Sequence, residues 1–343
     1  SWFRTKGGHL GINTLTDVIM KKFLAIIFLT VALVSCYEDY ILDYAYSAIY
    51  FPYQIDVRTF VVGEGMKVEV GATLSGVRDN KMDRNVSFTF DQSLISSTTL
   101  SKFKTASQGY IKDNAASVTE QKLLPANYYT ISSNSALVIK KGDHSGSVVI
   151  KPDSAAFLGD AATKFATYVL PFRITQADAD SVLVPKNYNV VALRYENMLF
   201  GKYWHGGICV VNRPNKADTT YKYFTSIPQL ETKVWTLTTN TPNSLYAPGY
   251  LDQMTGKNEM MLTLNGTNVT ISSVAGSKFV IEPDGQSTFN KPKLLQDRKL
   301  FLKYKYTDAA TGFVYHCTDT LTFRNRIRDG INEWYDENPA HYN

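Results

Sequence analysis

The sequence predicts an all-β chain divided into two domains, and three observations carry that prediction. Tyrosine (22) and phenylalanine (18) are abundant while tryptophan (4) is scarce, and aromatic and β-branched residues favour strands. Short runs of alternating polarity, each bounded by Gly, Pro, Asn or Asp, follow one another from about residue 45 to the end. Long amphipathic helices and βαβ alternation are missing. A length of 343 residues allows about two domains. Hydrophobic residues make up 44% and charged residues 20%, a globular rather than a disordered mix.

The chain opens with a segment that is not part of this pattern. Met20-Lys21-Lys22 forms a positive start, and Phe23–Val34 is an apolar run broken only by Thr30. That run has the length of a signal-peptide core and is too short to span a bilayer. It ends in Leu33-Val34-Ser35-Cys36, which resembles a bacterial lipobox. Residues 20–35 are therefore expected to be a lipoprotein signal peptide, with Cys36 as the lipid-attachment residue and 36–44 as the tether. Two acyl chains, at about 0.8 kcal/mol per buried methylene, anchor stably. Residues 1–19 read as an over-extended gene start. Tyr37-Glu38-Asp39-Tyr40 places an acidic pair just past the cysteine, and it resembles the export signal of surface lipoproteins.

Charge narrows the partners. Lys plus Arg number 36 against 31 acids, a formal +5. Arg4, Lys6, Lys21 and Lys22 against Asp17 put +3 of this in residues 1–35, which leaves +2 beyond them. So small and dispersed an excess carries no nucleic-acid footprint.

The first strand set comprises Ala48–Phe51, Thr59–Val62, Lys67–Leu74, Val86–Phe90, Tyr128–Ile131, Leu137–Ile139, Ser147–Ile150, Tyr168–Ile174 and Val190–Tyr195. Lys67-Val68-Glu69-Val70 alternates with period two, as a half-buried strand does. Leu137–Lys140 and Ser147–Ile150, joined by a Gly-containing loop, read as a hairpin. Asp153–Phe165 is the one Ala-rich, helix-like stretch. Closely spaced strands with turn signals predict a β-sandwich over residues 45–196. Asn197–Gly201 marks the boundary. A second set follows over 201–343: Gly207–Val211, Tyr221–Thr225, Val234–Thr238, Met260–Leu264, Val269–Ile271, Lys278–Ile281, Leu300–Tyr306 and Val314–Phe323. Asn265-Gly266 between two of these predicts a tight type I′ hairpin. This half is expected to be a second antiparallel β-sandwich or a barrel-like domain.

Several segments resemble one family. They are Tyr50-Phe51-Pro52, Arg58–Glu64, Leu123–Ile131, Ile139–Gly142, Tyr168–Ile174, Asp180-Ser181 and the closing stretch Arg324–Trp334. The chain is similar over most of residues 45–343 to two-domain surface lipoproteins of polysaccharide-utilisation loci in gut anaerobes. Their N-terminal domain is immunoglobulin-like, and related domains precede family-18 endoglycosidases. The resemblance implies glycan binding or adhesion at the outer face of the outer membrane, beside an importer complex. It supplies no contact residues.

Catalytic patterns are sparse. A family-18 enzyme needs Asp-x-x-Asp-x-Asp-x-Glu on a (β/α)₈ barrel, and the nearest text, Asp178-Ala179-Asp180, lacks the glutamate. A hydrolase on a β-sandwich needs two facing carboxylates, and no pair is marked. His9, His144, His205, His316 and His341 are scattered without zinc spacing. Gly63-Glu64-Gly65 lacks the third glycine of a phosphate loop. Asp329–Glu333 reads as a charged turn rather than a calcium loop. No cofactor is implied. Cys209 and Cys317, both in strand candidates, read as buried thiols or as a disulfide in an oxidising envelope.

Sugar recognition uses exposed aromatic faces beside amide or carboxylate groups. Trp204, Trp235, Tyr246, Tyr250 and Trp334 are candidate aromatics, with Asn240–Tyr250 read as a loop carrying two tyrosines. Core or interface packing explains each better than sugar contact does, so none is assigned. Every tryptophan past Trp2 lies beyond residue 200, which points ligand contacts toward the C-terminal domain. The expected function is a lipid-anchored, non-catalytic glycan-binding accessory protein. A surface adhesin is the alternative, and a hydrolase with an unmarked carboxylate pair a third.

Overall fold

In a computed structural model, residues 46–223, 233–249, 259–277 and 279–336 are described, with Met20 and Lys22 besides. Cys36 and Tyr250 lie outside these residues. Two β domains result. The first holds β1 (Ala48–Tyr50), β2 (Ile55–Val61), β3 (Val68–Ser75), β4 (Arg84–Phe90), β5 (Lys122–Leu123), β6 (Tyr129–Ile131), β7 (Ala136–Ile139), β8 (Ser145–Pro152), β9 (Tyr168–Ala177), β10 (Ser181–Val182) and β11 (Tyr188–Glu196). One sheet runs β10-β1-β3-β8-β6, and the other runs β2-β11-β9-β4-β7 with β5 beside β9. The sheets face each other across an aromatic core. The Phe172 ring centre lies 5.1 Å from both Phe88 and Phe90, and 6.1 Å from Phe51, which directly follows β1 of the opposite sheet.

The stretch 137–150 departs from the hairpin expectation. β7 pairs with β4 in one sheet, while β8 pairs with β3 and β6 in the other. The side-chain amide of Asn80 donates to the Lys140 carbonyl at 2.9 Å and to the Asp143 carbonyl at 3.0 Å. These bonds hold the loop in a shape that carries the chain across the sandwich instead of back along the same sheet.

Helix is also more extensive than expected: α1 (Ser97–Lys104) and α2 (Gly109–Ala115) precede α3 (Ser154–Leu158). Ser96 caps α1 by accepting from the Thr99 amide at 3.1 Å. Leu100 and Phe103 of α1, and Ile111 and Ala115 of α2, are buried. Phe103, Ile111 and Ala115 pack with Val57, Val169, Val190 and Ala192 from the second sheet. β11 is therefore apolar on both faces. Val191 and Leu193 fill the sandwich, and Val190 and Ala192 meet the helices.

The second domain holds β12 (Gly201–Asn212), β13 (Thr219–Tyr223), β14 (Lys233–Thr241), β15 (Ser244–Ala247), β16 (Met260–Asn265), β17 (Asn268–Ser273), β18 (Val280–Pro283), β19 (Ser287–Phe289), β20 (Lys299–Asp308), β21 (Phe313–Arg328) and β22 (Ile331–Glu333). The antiparallel path β12-β14-β15-β16-β17-β19-β20-β21 returns to its start, because β12 and β21 pair over Lys202–Asn212 and Val314–Asn325. Of the two forms expected for this domain, it is the barrel. Its interior is packed with side chains, among them Tyr203, Trp235, Leu262, Tyr304 and Leu321. At the β16–β17 turn, Asn265 pairs with Asn268, so the central residues are Gly266 and Thr267. Only Gly266 has a positive φ, 62°. That is the II′ pattern rather than I′, one residue later than the sequence indicated.

Candidate functional site at the domain junction

The two domains are locked by a buried ion cluster. Glu64 sits in the Gly63-Glu64-Gly65 turn after β2, where both glycines take positive φ. Its carboxylate accepts from Arg298 Nη2 at 2.6 Å, and from Arg326 Nη1 at 2.9 Å and Nη2 at 2.6 Å. The side chains are 3%, 2% and 1% exposed, so all three charges are out of water. Burial pushes the Glu64 carboxyl up, but hydrogen bonds and charge from Arg326 and Arg298 outweigh it and hold the pKa below the usual carboxylate value. Arg326 also lies over the Phe200 ring, 4.9 Å from its centre.

Beside this lock the chain opens into a cleft of about 590 Å³. One wall is α2. The facing wall is the turn between β21 and β22, where Asp329 has φ 50° and Gly330 has φ 80°. The Asp329 carboxylate fastens this turn to β2, accepting from the Thr59 amide at 3.0 Å and the Thr59 hydroxyl at 2.7 Å. Burial raises the Asp329 carboxyl pKa against the lowering effect of those bonds. Burial likewise raises that of Asp56, despite nearby Arg58 and a 2.9 Å bond from the Tyr110 hydroxyl. The floor is made by the end of β11 and the junction. Arg194 donates to the Lys164 carbonyl at 3.0 Å and to Glu196 at 2.6 Å. Thr239 of the barrel donates to the other Glu196 oxygen. Parallel pairing of β11 with β2, through Glu196 opposite Val61, brings Glu196 and the Glu64 turn to the same end of the sandwich.

Two groups on the α2 wall, Gln108 and Asp113, are exposed. Phe200 and Ile327 form an apolar saddle. Beyond it lies a second hollow of about 220 Å³, which shares Glu196, Phe200 and Ile327 with the first and is lined also by Lys202 and Asn325. The arrangement offers carboxylate, amide and guanidinium groups around an apolar strip. Such a surface suits a hydroxyl-rich ligand with apolar faces.

The aromatics singled out in the sequence are not gathered here. Trp235 is inside the barrel, stacked on His205 with ring centres 4.1 Å apart. Trp204 is half-buried beneath the Arg324 guanidinium, 5.0 Å from its ring centre. Tyr246 is half-buried within β15, opposite Thr238 and Met261. The expected loop over Asn240–Tyr250 is thus largely a hairpin. Trp334 is 62% exposed beside Tyr335. Sequence reasoning missed Gln108, Asp113 and Phe200. No capping signal marked the first two, because Gln108 opens α2 without a side-chain cap bond. None marked Phe200, whose place depends on how the domains meet.

A matching family model, described as an N-terminal domain, spans residues 44–181. The chain resembles a solved Bacteroides ovatus protein of unknown function, with 20% identity, a TM-score of 0.62, and coverage of 85% of this chain and 98% of that one. The matched stretch runs through most of the first β domain. A second Bacteroides ovatus structure of unknown function is 15% identical with a TM-score of 0.41, covering 85% of this chain and 99% of its own. No curated protein matches this chain. The shared architecture with the first structure supports the fold of both β domains. No helix among the described residues is long and apolar enough to cross a membrane.

Proposed function

We propose that this chain is a non-catalytic surface accessory protein, lipid-anchored through Cys36, whose junction cleft binds oligosaccharide. The observation that carries the reading is the cleft itself. Gln108, Asp113 and Glu196 surround the Phe200–Ile327 saddle, and hollows of about 590 and 220 Å³ lie on either side of it. A sugar chain laid across would set apolar ring faces on the saddle and direct hydroxyls at the polar walls. Contacts then come from both domains, not from the C-terminal domain alone.

The test is affinity electrophoresis of the whole chain against host and plant polysaccharides. Retardation by at least one glycan is expected. Gln108→Ala/Asp113→Ala should weaken it about tenfold, the worth of one or two hydrogen bonds with a charged partner. Both side chains are exposed, so the fold should be untouched. Retardation unchanged by the double variant would move the site elsewhere. For the anchor, Cys36→Ala should abolish labelled-palmitate uptake and release the chain from the membrane fraction, and unchanged labelling would refute attachment at Cys36.

A protein partner is the second reading, favoured by a specific feature. Ile327, Ile331, Trp334 and Tyr335 on the terminal hairpin are each more than half exposed, at 58%, 63%, 62% and 52%. Glycan silence with saturable attachment to host-cell protein, lost in Trp334→Ala, would favour adhesion.

A further inference from the structure

The barrel seam holds a pair of cysteines placed for a covalent bond. Cys209 lies in β12 and Cys317 in β21, the two strands whose pairing closes the barrel, and the register sets them directly opposite each other. Opposed residues on antiparallel strands have Cα atoms roughly 4.5–5.5 Å apart, within the disulfide range of roughly 4.4–6.8 Å. The thiols face each other with Sγ atoms 3.2 Å apart. Both residues are buried, at 0% and 1% exposure. They stand in the layer of Tyr304, which pairs with Cys317 from the adjacent strand.

We propose that Cys209 and Cys317 are oxidised to a disulfide that ties the first long strand of the barrel to the last. This rests on the export reading, because the oxidant is taken to be the disulfide of an envelope dithiol oxidase. One cysteine thiolate attacks that disulfide to give a mixed disulfide. The second thiolate then attacks the protein sulfur. Two S–H bonds of the chain are replaced by one S–S bond, and the oxidant leaves with both protons and both electrons as its dithiol. Burial pushes the Cys317 thiol far up in the closed barrel, where it yields no thiolate for exchange. The bond therefore forms before the seam closes, and afterwards it is shielded from thiols. Its position ties it to the cleft. β12 begins beside Phe200, and β21 runs on to Ile327, Arg328 and the Asp329 turn, so the cross-link fixes the register of the two strands that carry these residues.

Two arms test this on the full chain. In the first, the chain is exported with its own leader, quenched in acid, denatured and treated with a maleimide. No label on Cys209 or Cys317 is expected before reductant, and both are expected to be labelled after it, with a mass 2 Da below the dithiol beforehand. Immediate labelling of both in exported protein would overturn the proposal. A precursor retained with Cys36 also labelled would instead overturn the export reading. The second arm then decides the geometry alone. The reduced, unfolded chain is refolded in a glutathione disulfide buffer. It should end as the intramolecular disulfide without a glutathione adduct, and its Tm should exceed that of chain refolded with reductant by about 5–10 °C. Two free thiols or stable adducts would refute it. Cys317→Ala should leave Cys209 labelled without reductant.

Discussion

Glu64→Gln is expected to lower the unfolding free energy by about 3–5 kcal/mol, because it removes the carboxylate shared by two buried guanidinium groups and leaves Arg326 with Glu333, at 2.5 Å, as its remaining counter-charge. Arg298 and Arg326 are 2% and 1% exposed, and neither reaches water without opening the junction. Glutamine keeps the shape of glutamate, so the loss reports charge rather than packing. Guanidinium unfolding of the whole chain measures it, and a change below about 1 kcal/mol would show that the cluster is paired by other means. pH dependence provides a second readout. The Glu64 pKa is depressed in the folded state from its ordinary 4.5. Ionised Glu64 therefore stabilises the native chain above that value, and the contribution is lost as pH falls below 4.5 toward the folded pKa. The gap between wild type and variant should be full at neutral pH and shrink in acid. Separating the domains at residues 197–201 would strip Glu64 of both arginines, so binding experiments belong on the intact chain.

Asp319→Ala is expected to cost about as much, roughly 3–5 kcal/mol, through a different mechanism. Asp319 lies inside the barrel at 0% side-chain exposure. It accepts from the Tyr304 hydroxyl at 2.7 Å and from the Tyr223 hydroxyl, and its Oδ2 lies 2.8 Å from His205 Nε2. Burial, followed by the Asp319 charge, raises the pKa values of both tyrosines, so each keeps its proton and donates. Alanine leaves three buried polar groups facing a void. The loss should exceed that of Tyr223→Phe, which removes a single bond to the acid and should cost about 1.5–3 kcal/mol. Urea unfolding followed by barrel tryptophan fluorescence checks both. Equal losses would mean that Asp319 acts through Tyr223 alone.

Strands were legible because their signals are local. Val68 to Ser75 alternates, Gly266 supplies the positive φ its turn needs, and tyrosines and phenylalanines mark the buried positions. α1 and α2 escaped notice because each is short, and Ser96, Thr98 and Thr99 dilute the apolar pattern of Leu100, Phe103 and Ile111. The β7–β8 crossing was hidden because a side chain 60 residues away, Asn80, decides the loop's direction. The cleft was the least legible part. Gln108, the pair Glu196 and Phe200, and Asp329 come from three distant places in the chain, and no spacing rule connects them. Glu64 looked like a failed phosphate loop, whereas its flanking glycines allow the turn that presents its carboxylate to the barrel.

The way the barrel closes also dictates an order of events. β12 is the first barrel strand to be synthesised, yet its full-length neighbour β21 is the last long one. Until that neighbour arrives, one edge of β12 stays open, with its backbone groups unpaired and Cys209 uncovered. Local pairs such as β16–β17 can zip up early, but the seam must wait for about a hundred residues of chain. Contacts so distant in sequence make for slow folding and a long-lived sticky edge. Glu64 waits longer still, since Arg326 stands 262 residues further on. This protein should therefore be most prone to misassociation while nascent, and a chain truncated before β21 should aggregate rather than persist as a partial barrel.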